Sequence, residues 1–166
     1  MARMETLDPE IVRRLSRADE TRLRRVAIAV SEFALERANL QSPLAREALD
    51  SLRKTGAVSP KVREDLRTLT DSLDDQYFKL HEAADDTDRA AVARGVGREG
   101  APWILMFYKA RAANAAFFAC ERDPLVAALE SAYEANATLS DEKASVGIAT
   151  LKPSLRKVML KALEGR

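Results

Sequence analysis

The side chains best placed to do chemistry lie in residues 64–88, where nine carboxylates accompany only two basic groups. At helical spacing these groups fall on two neighbouring faces, one with Asp74, His81, Asp85 and Asp88, the other with Asp71, Asp75, Glu82 and Asp86. Such a surface attracts a basic partner, and a histidine beside a carboxylate is also the donor set of a weak cation site. A solvated helix face is the plainer interpretation of the same pattern.

Neither a metal centre nor a cofactor site is predicted. Helical di-metal sites take carboxylates from several helices and two Glu-x-x-His pairs, whereas His81 is the only histidine and has Phe78 three positions before it. Residues 95–100 match the dinucleotide pattern G-x-G-x-x-G, but that motif requires a preceding strand, and no strand is predicted there. We expect a glycine-rich connection between helices instead.

A second candidate is a pocket around Tyr108, Lys109 and Arg111. Residues 103–120 are apolar on all sides, and Lys109 falls among apolar positions of this helix. A lysine in such surroundings is a candidate nucleophile or substrate clamp, and an ion pair or a side chain reaching to solvent is the structural alternative. Because no G-x-S-x-G elbow or paired base accompanies it, an enzyme is not favoured.

A third candidate is nucleic-acid binding. Residues 52–62 resemble the turn and second helix of lac-repressor-type helix-turn-helix domains, with one extra residue, Ala57, in the turn. Glu64 and Asp65 follow in the helix that would read bases, where phosphates repel them. The candidate phosphate contacts are Arg22, Arg24, Arg25, Arg53 and Lys54.

Composition indicates one soluble domain. The chain has 166 residues, 46% of them hydrophobic, and a formal net charge of +1, which gives no bulk attraction to nucleic acid or membrane. Cys120 is the only cysteine, so a reducing, cytoplasmic setting is predicted. The first nine residues lack a secretory apolar region, and the most apolar stretch contains Lys109 and Arg111, so no membrane span is expected. The arginine-rich and alanine-rich usage is typical of a GC-rich bacterial genome.

Apolar spacings of three and four predict an all-α bundle of six or seven helices in a single domain over residues 1–166, with residues 1–8 flexible. The helices near residues 19–39 and 103–120 have apolar residues on more than one face and are expected at its centre. Ser-Pro or Asp-Pro pairs, a lone proline and the capping residue Ser140 mark further starts. The helix after Ser59 has one apolar stripe, which consists of Val62, Leu66, Leu69, Leu73, Tyr77, Leu80 and Ala84. The predicted starts are Ser42, Ser59, Asp123, Ser140 and Pro153.

Two stretches of the chain are similar to each other. Residues 33–51 and 118–131 share the order Phe, Ala, acidic, Arg, Pro, Leu, Ala, Leu, acidic, Ser, with a longer connection in the first. This similarity is consistent with a duplicated αα-hairpin, and chance in an alanine-rich and leucine-rich chain is the alternative.

The acidic segment lies between segments of net positive charge, 1–63 and 89–166. We therefore expect a non-enzymatic module that binds another protein, of the regulatory or toxin-neutralising kind found among small bacterial helical proteins. A small-molecule binder or enzyme using Lys109, and a nucleic-acid binder, are the alternatives.

Overall fold

The structure, a computed structural model, describes residues 3–93, 101–139 and 150–165. In these ranges the chain forms a short 3-10 helix and eight α-helices and no strand, which confirms the all-α prediction. No helix in the described ranges has the length and apolarity that a membrane crossing requires. The glycine-rich connection at 95–100 and the helix predicted from Ser140 lie outside the described residues. The elements are the 3-10 helix Arg3–Thr6, α1 Pro9–Ser16, α2 Glu20–Arg37, α3 Pro43–Thr55, α4 Pro60–Ala83, α5 Asp86–Ala93, α6 Pro102–Ala119, α7 Pro124–Ala137 and α8 Pro153–Glu164.

Three of the predicted caps begin helices by the same mechanism. The side chains of Ser42, Ser59 and Asp123 accept backbone N–H groups in the first turns of α3, α4 and α7, and proline occupies the first helical position of each. Asp8 and Pro9 repeat this arrangement at the start of α1, a helix that was not predicted.

Helices α2, α6 and α7 form the centre of the bundle. Helix α2 packs against α3, α6, α7 and α8, and α6 packs against α2, α3, α4 and α7. The hydroxyl groups of Ser31 on α2 and Ser131 on α7 both donate to the carbonyl oxygen of Ala115 on α6, at 3.1 and 2.9 Å. Fully buried alanines allow this close approach. The central position predicted for α2 and α6 is confirmed, and α7 joins them.

Residues 3–8, which we expected to be flexible, fold against the bundle. Met4 is fully buried, and the guanidinium of Arg3 lies 4.1 Å from the ring centroid of Tyr133. Arg3 also donates to Glu130 at 2.9 Å. The apolar burial and the ion pairs offset the entropy cost of ordering this end of the chain.

Helix α4 runs antiparallel to α6, as the pairs Asp74–Arg111 and Tyr77–Phe107 show. It ends at Ala83, earlier than the face prediction required, because Ala84 is extended and the Asp85 carboxylate caps the backbone N–H of Asp88. Asp85 and Asp86 therefore belong to the α4–α5 junction and to α5, and their predicted places on the faces of α4 are wrong.

The two similar hairpins begin their second helices alike but pack differently. Ala34 and Ala119 are both fully buried, and Leu49 and Leu129 are buried almost completely. Helices α6 and α7 pack along their lengths, whereas α3 divides its contacts among α2, α4 and α6. The shared sequence thus corresponds to shared local geometry within two different tertiary environments.

Candidate functional site

Phe78 is the most exposed large apolar side chain in the described chain, with 56% of its surface accessible. It lies on α4 away from the apolar stripe that packs on α6. At ~100° per residue, four carboxylates fall within about 60° of it on the helix surface. We call this group the Phe78 face: Asp71, Asp74, Asp75, Phe78 and Glu82.

An ion-pair network fastens the Phe78 face to the bundle. Arg111 on α6 donates through one terminal nitrogen to both carboxylate oxygens of Asp74, at 2.5 and 2.7 Å, and through the other to Glu134 on α7, at 3.0 Å. Glu134 is only 2% exposed and is also paired with Arg3 at 2.9 Å. Paired charges at this depth fix geometry more than they add stability, so α4, α6 and α7 are held in one register here.

Aromatic rings border the Phe78 face where α4 meets α6. The His81 ring meets the Trp103 ring edge to face, with centroids 4.9 Å apart, and Tyr77 lies 5.5 Å from Phe107. His81 is therefore packed as part of an aromatic cluster. Among the residues that the structure describes, no group of three or more histidine, cysteine or carboxylate side chains is arranged to hold a metal ion.

Three of the four carboxylates on the Phe78 face remain available. Asp74 is bound by Arg111, whereas Asp71, Asp75 and Glu82 are exposed and have no ion pair within residues 3–93, 101–139 and 150–165. Several basic groups elsewhere already have carboxylate partners within the bundle, as in the pairing of Arg156 with Asp8 at 3.0 Å. The charge of the Phe78 face is thus mostly left to solvent or to a partner.

The remaining predicted docking residues have structural roles. The Asp85 carboxylate caps α5 by accepting the backbone N–H of Asp88 at 2.8 Å. Asp86 is 95% exposed and pairs with Arg89 on its own helix. Both carboxylates lie near the end of α4, but neither is part of the Phe78 face.

The three residues of the predicted pocket have separate environments. Tyr108 is buried in the main core, and Arg111 is committed to Asp74 and Glu134. Lys109 is partly buried and projects ~100° from Tyr108 and ~160° from Arg111 around α6. The structure does not bring them together as one pocket.

Most predicted phosphate contacts are used within the chain. Arg22 pairs with Asp19 at 3.3 Å, and Arg53 pairs with Glu32 and Asp50. The other two arginines cap helix ends: Arg24 donates to the carbonyl oxygens of Ala119, Glu121 and Arg122, and Arg25 to that of Ala162. Lys54 is exposed. These contacts weaken the case for nucleic-acid binding.

Phe78, Trp103 and Glu134 were not identified as site residues from the sequence, whereas Glu82 was placed on the acidic face. Phe78 carried a signal, because it is a large aromatic residue outside the apolar stripe of its helix. Leu80 was assigned to that stripe yet is 37% exposed.

Comparison of the chain with protein-family models, with curated proteins and with solved structures finds no match. The functional conclusion therefore depends on the chemistry of the molecule's own surfaces.

Proposed function

We propose that this chain is a non-enzymatic binding protein whose Phe78 face docks a basic, amphipathic segment of another protein. It would act in the regulatory or toxin-neutralising manner of small bacterial helical proteins. The observation that carries the proposal is the exposure of Phe78 among four carboxylates, three of which have no ion pair within the described chain.

An exposed phenylalanine supplies the binding energy that charge alone does not. Binding hot spots are typically large side chains near the middle of a contact, surrounded by groups that exclude water. Burying the exposed part of Phe78 is worth about 1 to 2 kcal/mol, or roughly a tenfold change in affinity. The Phe78 side chain is also mounted on a helix that Arg111 holds in place, so little ordering is needed on binding.

The carboxylates determine which partner fits. Asp71, Asp75 and Glu82 attract lysine and arginine during the encounter and disfavour acidic partners. A partner helix with apolar residues on one stripe and basic residues beside it matches this arrangement. A merely solvated face would account for the carboxylates alone, whereas the proposal also gives the exposed Phe78 ring a role.

The test uses the single tryptophan, Trp103, which lies in the aromatic border and reports on its surroundings by fluorescence. The probe is a synthetic tryptophan-free peptide with leucines on one helical stripe and lysines on the rest. A second peptide of the same composition, shuffled to remove the stripe, measures attraction by charge alone. We expect the amphipathic peptide to bind more tightly than the shuffled one.

Variants on the Phe78 face, each compared with a similar substitution elsewhere, show which side chains contribute to the binding free energy. Phe78→Ser should weaken binding of the amphipathic peptide about tenfold. Val126→Ser should not weaken it, because Val126 is also an exposed apolar residue but lies on α7, outside the Phe78 face. Asp75→Lys should also weaken binding of the amphipathic peptide, and this loss should be largest at low salt, where charges are least screened. Glu47→Lys makes the same charge change on α3, away from the Phe78 face, and is the control. Equal affinities for Phe78→Ser and Val126→Ser would refute the proposal.

A further inference from the structure

A cavity of about 780 Å³ opens at the other end of α4, beyond the Phe78 face. Its walls come from the α3–α4 turn, the first two turns of α4, the C-terminal end of α6 and Arg24 of α2. A neighbouring cavity of about 410 Å³ shares Arg63 and Arg67 with it. Pockets for small organic ligands are typically about 300 to 1,000 Å³, so the space is of suitable size.

Positive charge predominates around the larger cavity. Four arginines, Arg24, Arg63, Arg67 and Arg122, line it together with two glutamates, Glu64 and Glu121. The positive end of the α4 dipole lies at the same place, because Pro60 begins that helix. The combined field favours an anion.

The arginines have different tasks. The guanidinium of Arg24 is held by three carbonyl oxygens at the end of α6 and fixes the wall. Arg63 pairs with Glu121 and stacks 4.9 Å from the centroid of Phe117, which holds its planar group in one orientation. Arg67 and Arg122 are exposed and have no ion pair within the described ranges. Two cations are therefore free for a ligand, beside a third that is held in place.

The rest of the lining is apolar. Leu52 and Cys120 are buried, and Val58 and Phe117 are half-buried. A simple inorganic ion would leave this surface wet, whereas a ligand with an apolar body would cover it. Apolar walls with a few placed polar groups are typical of small-molecule sites.

We infer that this cavity binds a small organic oxyanion, with its phosphate or carboxylate on Arg67 and Arg122 beside the fixed Arg63, and its apolar body on Phe117 and Val58. The lining of the larger cavity contains no residue of the Phe78 face, although Asp71 of that face lines the smaller neighbouring cavity. The volume suits one small molecule, and the two glutamates of the lining disfavour an extended polyanion.

Calorimetry with three probes tests the inference: 1-naphthyl phosphate, 1-naphthoate and the neutral 1-naphthalenemethanol. Both anions should bind more tightly than the alcohol, and the tighter of the two identifies the preferred head group. Arg67→Gln should weaken the anions about tenfold or more, with little effect on the fold because Arg67 is exposed. Arg13→Gln on α1, also exposed, is the control and should bind normally.

A second readout is protection of the single thiol. Cys120 lines the cavity, so a saturating anion should slow its alkylation by neutral iodoacetamide in the wild type, and less in Arg67→Gln at the same concentration. Equal binding of the anions and the alcohol at low salt, or anion binding that Arg67→Gln leaves unchanged, would overturn the inference. So would an alkylation rate that does not respond to bound anion.

Discussion

The two halves of α4 pack on the same neighbour, α6, yet they form surfaces of opposite charge and different shape. The first half, Pro60–Thr70, is also covered by α3 and by Arg24 of α2, and these walls enclose a cavity rich in arginine. The second half, from Asp71 to Ala83, is covered mainly by α6, and its outer side is convex, acidic and centred on Phe78. The number of neighbouring elements thus decides whether a stretch of helix forms a pocket or a docking surface.

The charges of α4 run against the preference of the helix itself. The first turn contains Lys61 and Arg63 and no carboxylate, and Glu82 lies in the last turn. The helix dipole favours the opposite arrangement. Because this charge pattern does not stabilise α4 itself, we attribute it to the two surfaces that the helix forms, the arginine-lined cavity and the Phe78 face.

The largest effect is expected from breaking the network that fastens the acidic half. Glu134→Ala leaves Arg111 without its partner on α7 in a mostly buried position. We expect a loss of about 3 kcal/mol in the free energy of unfolding, measured as a lower midpoint of urea denaturation. Glu130→Ala, which removes a more exposed partner of Arg3, should cost clearly less. Equal losses for the two variants would show that the network does not hold α4 in place.

The reactivity of the Cys120 thiol shows whether the cavity wall around it is closed or open to solvent. Burial raises the pKa of Cys120 to about 11 from an ordinary value near 9. At pH 8 the folded protein should therefore alkylate about a hundredfold more slowly than the urea-unfolded chain, since each pKa unit is tenfold in thiolate. Because the unfolded chain loses this proton first, the thiol also lowers folding stability as the pH rises from about 9 to 11. Folded and unfolded rates within tenfold of each other at pH 8 would contradict the packing at this end of α4.

The smallest effect is expected from removing the exposed ring. Phe78→Ala should change the free energy of unfolding by no more than about 0.5 kcal/mol, because a surface substitution removes few contacts. Leu66→Ala, about three turns earlier in the same helix and fully buried, should cost about 2 to 4 kcal/mol. Thermal unfolding of both variants provides the comparison. A loss at Phe78 as large as that at Leu66 would mean that the ring serves the fold.

Much of the fold could be predicted from local signals. Serine or aspartate before proline correctly located the starts of α3, α4 and α7, because capping is a local hydrogen bond. The same signal at Asp8 and Pro9 begins α1 but was not used in the sequence analysis. The break at Ala84 was missed because the acidic pattern continues through it while the backbone does not.

The site was harder to predict because its partners are distant in the chain. Charge segregation identified the acidic half of α4, and the position of Phe78 outside the apolar stripe was visible in the sequence. The pairing of Arg111 with Glu134, and of Arg63 with Glu121, depends on how α4, α6 and α7 pack. No periodicity in one sequence specifies such contacts, and the cavity at the α3–α4 turn follows from them.

The most direct test of the account is one pair of amide-correlation NMR titrations on the same labelled protein. The amphipathic lysine peptide should shift the amide signals of residues 71–83 and of Trp103, and 1-naphthyl phosphate should shift those of residues 58–67 and 117–122. Separate responses would show that the two halves of α4 recognise different partners. If both probes shifted the same residues, or if the peptide left residues 71–83 unchanged, the division of α4 into a docking surface and a ligand site would be wrong.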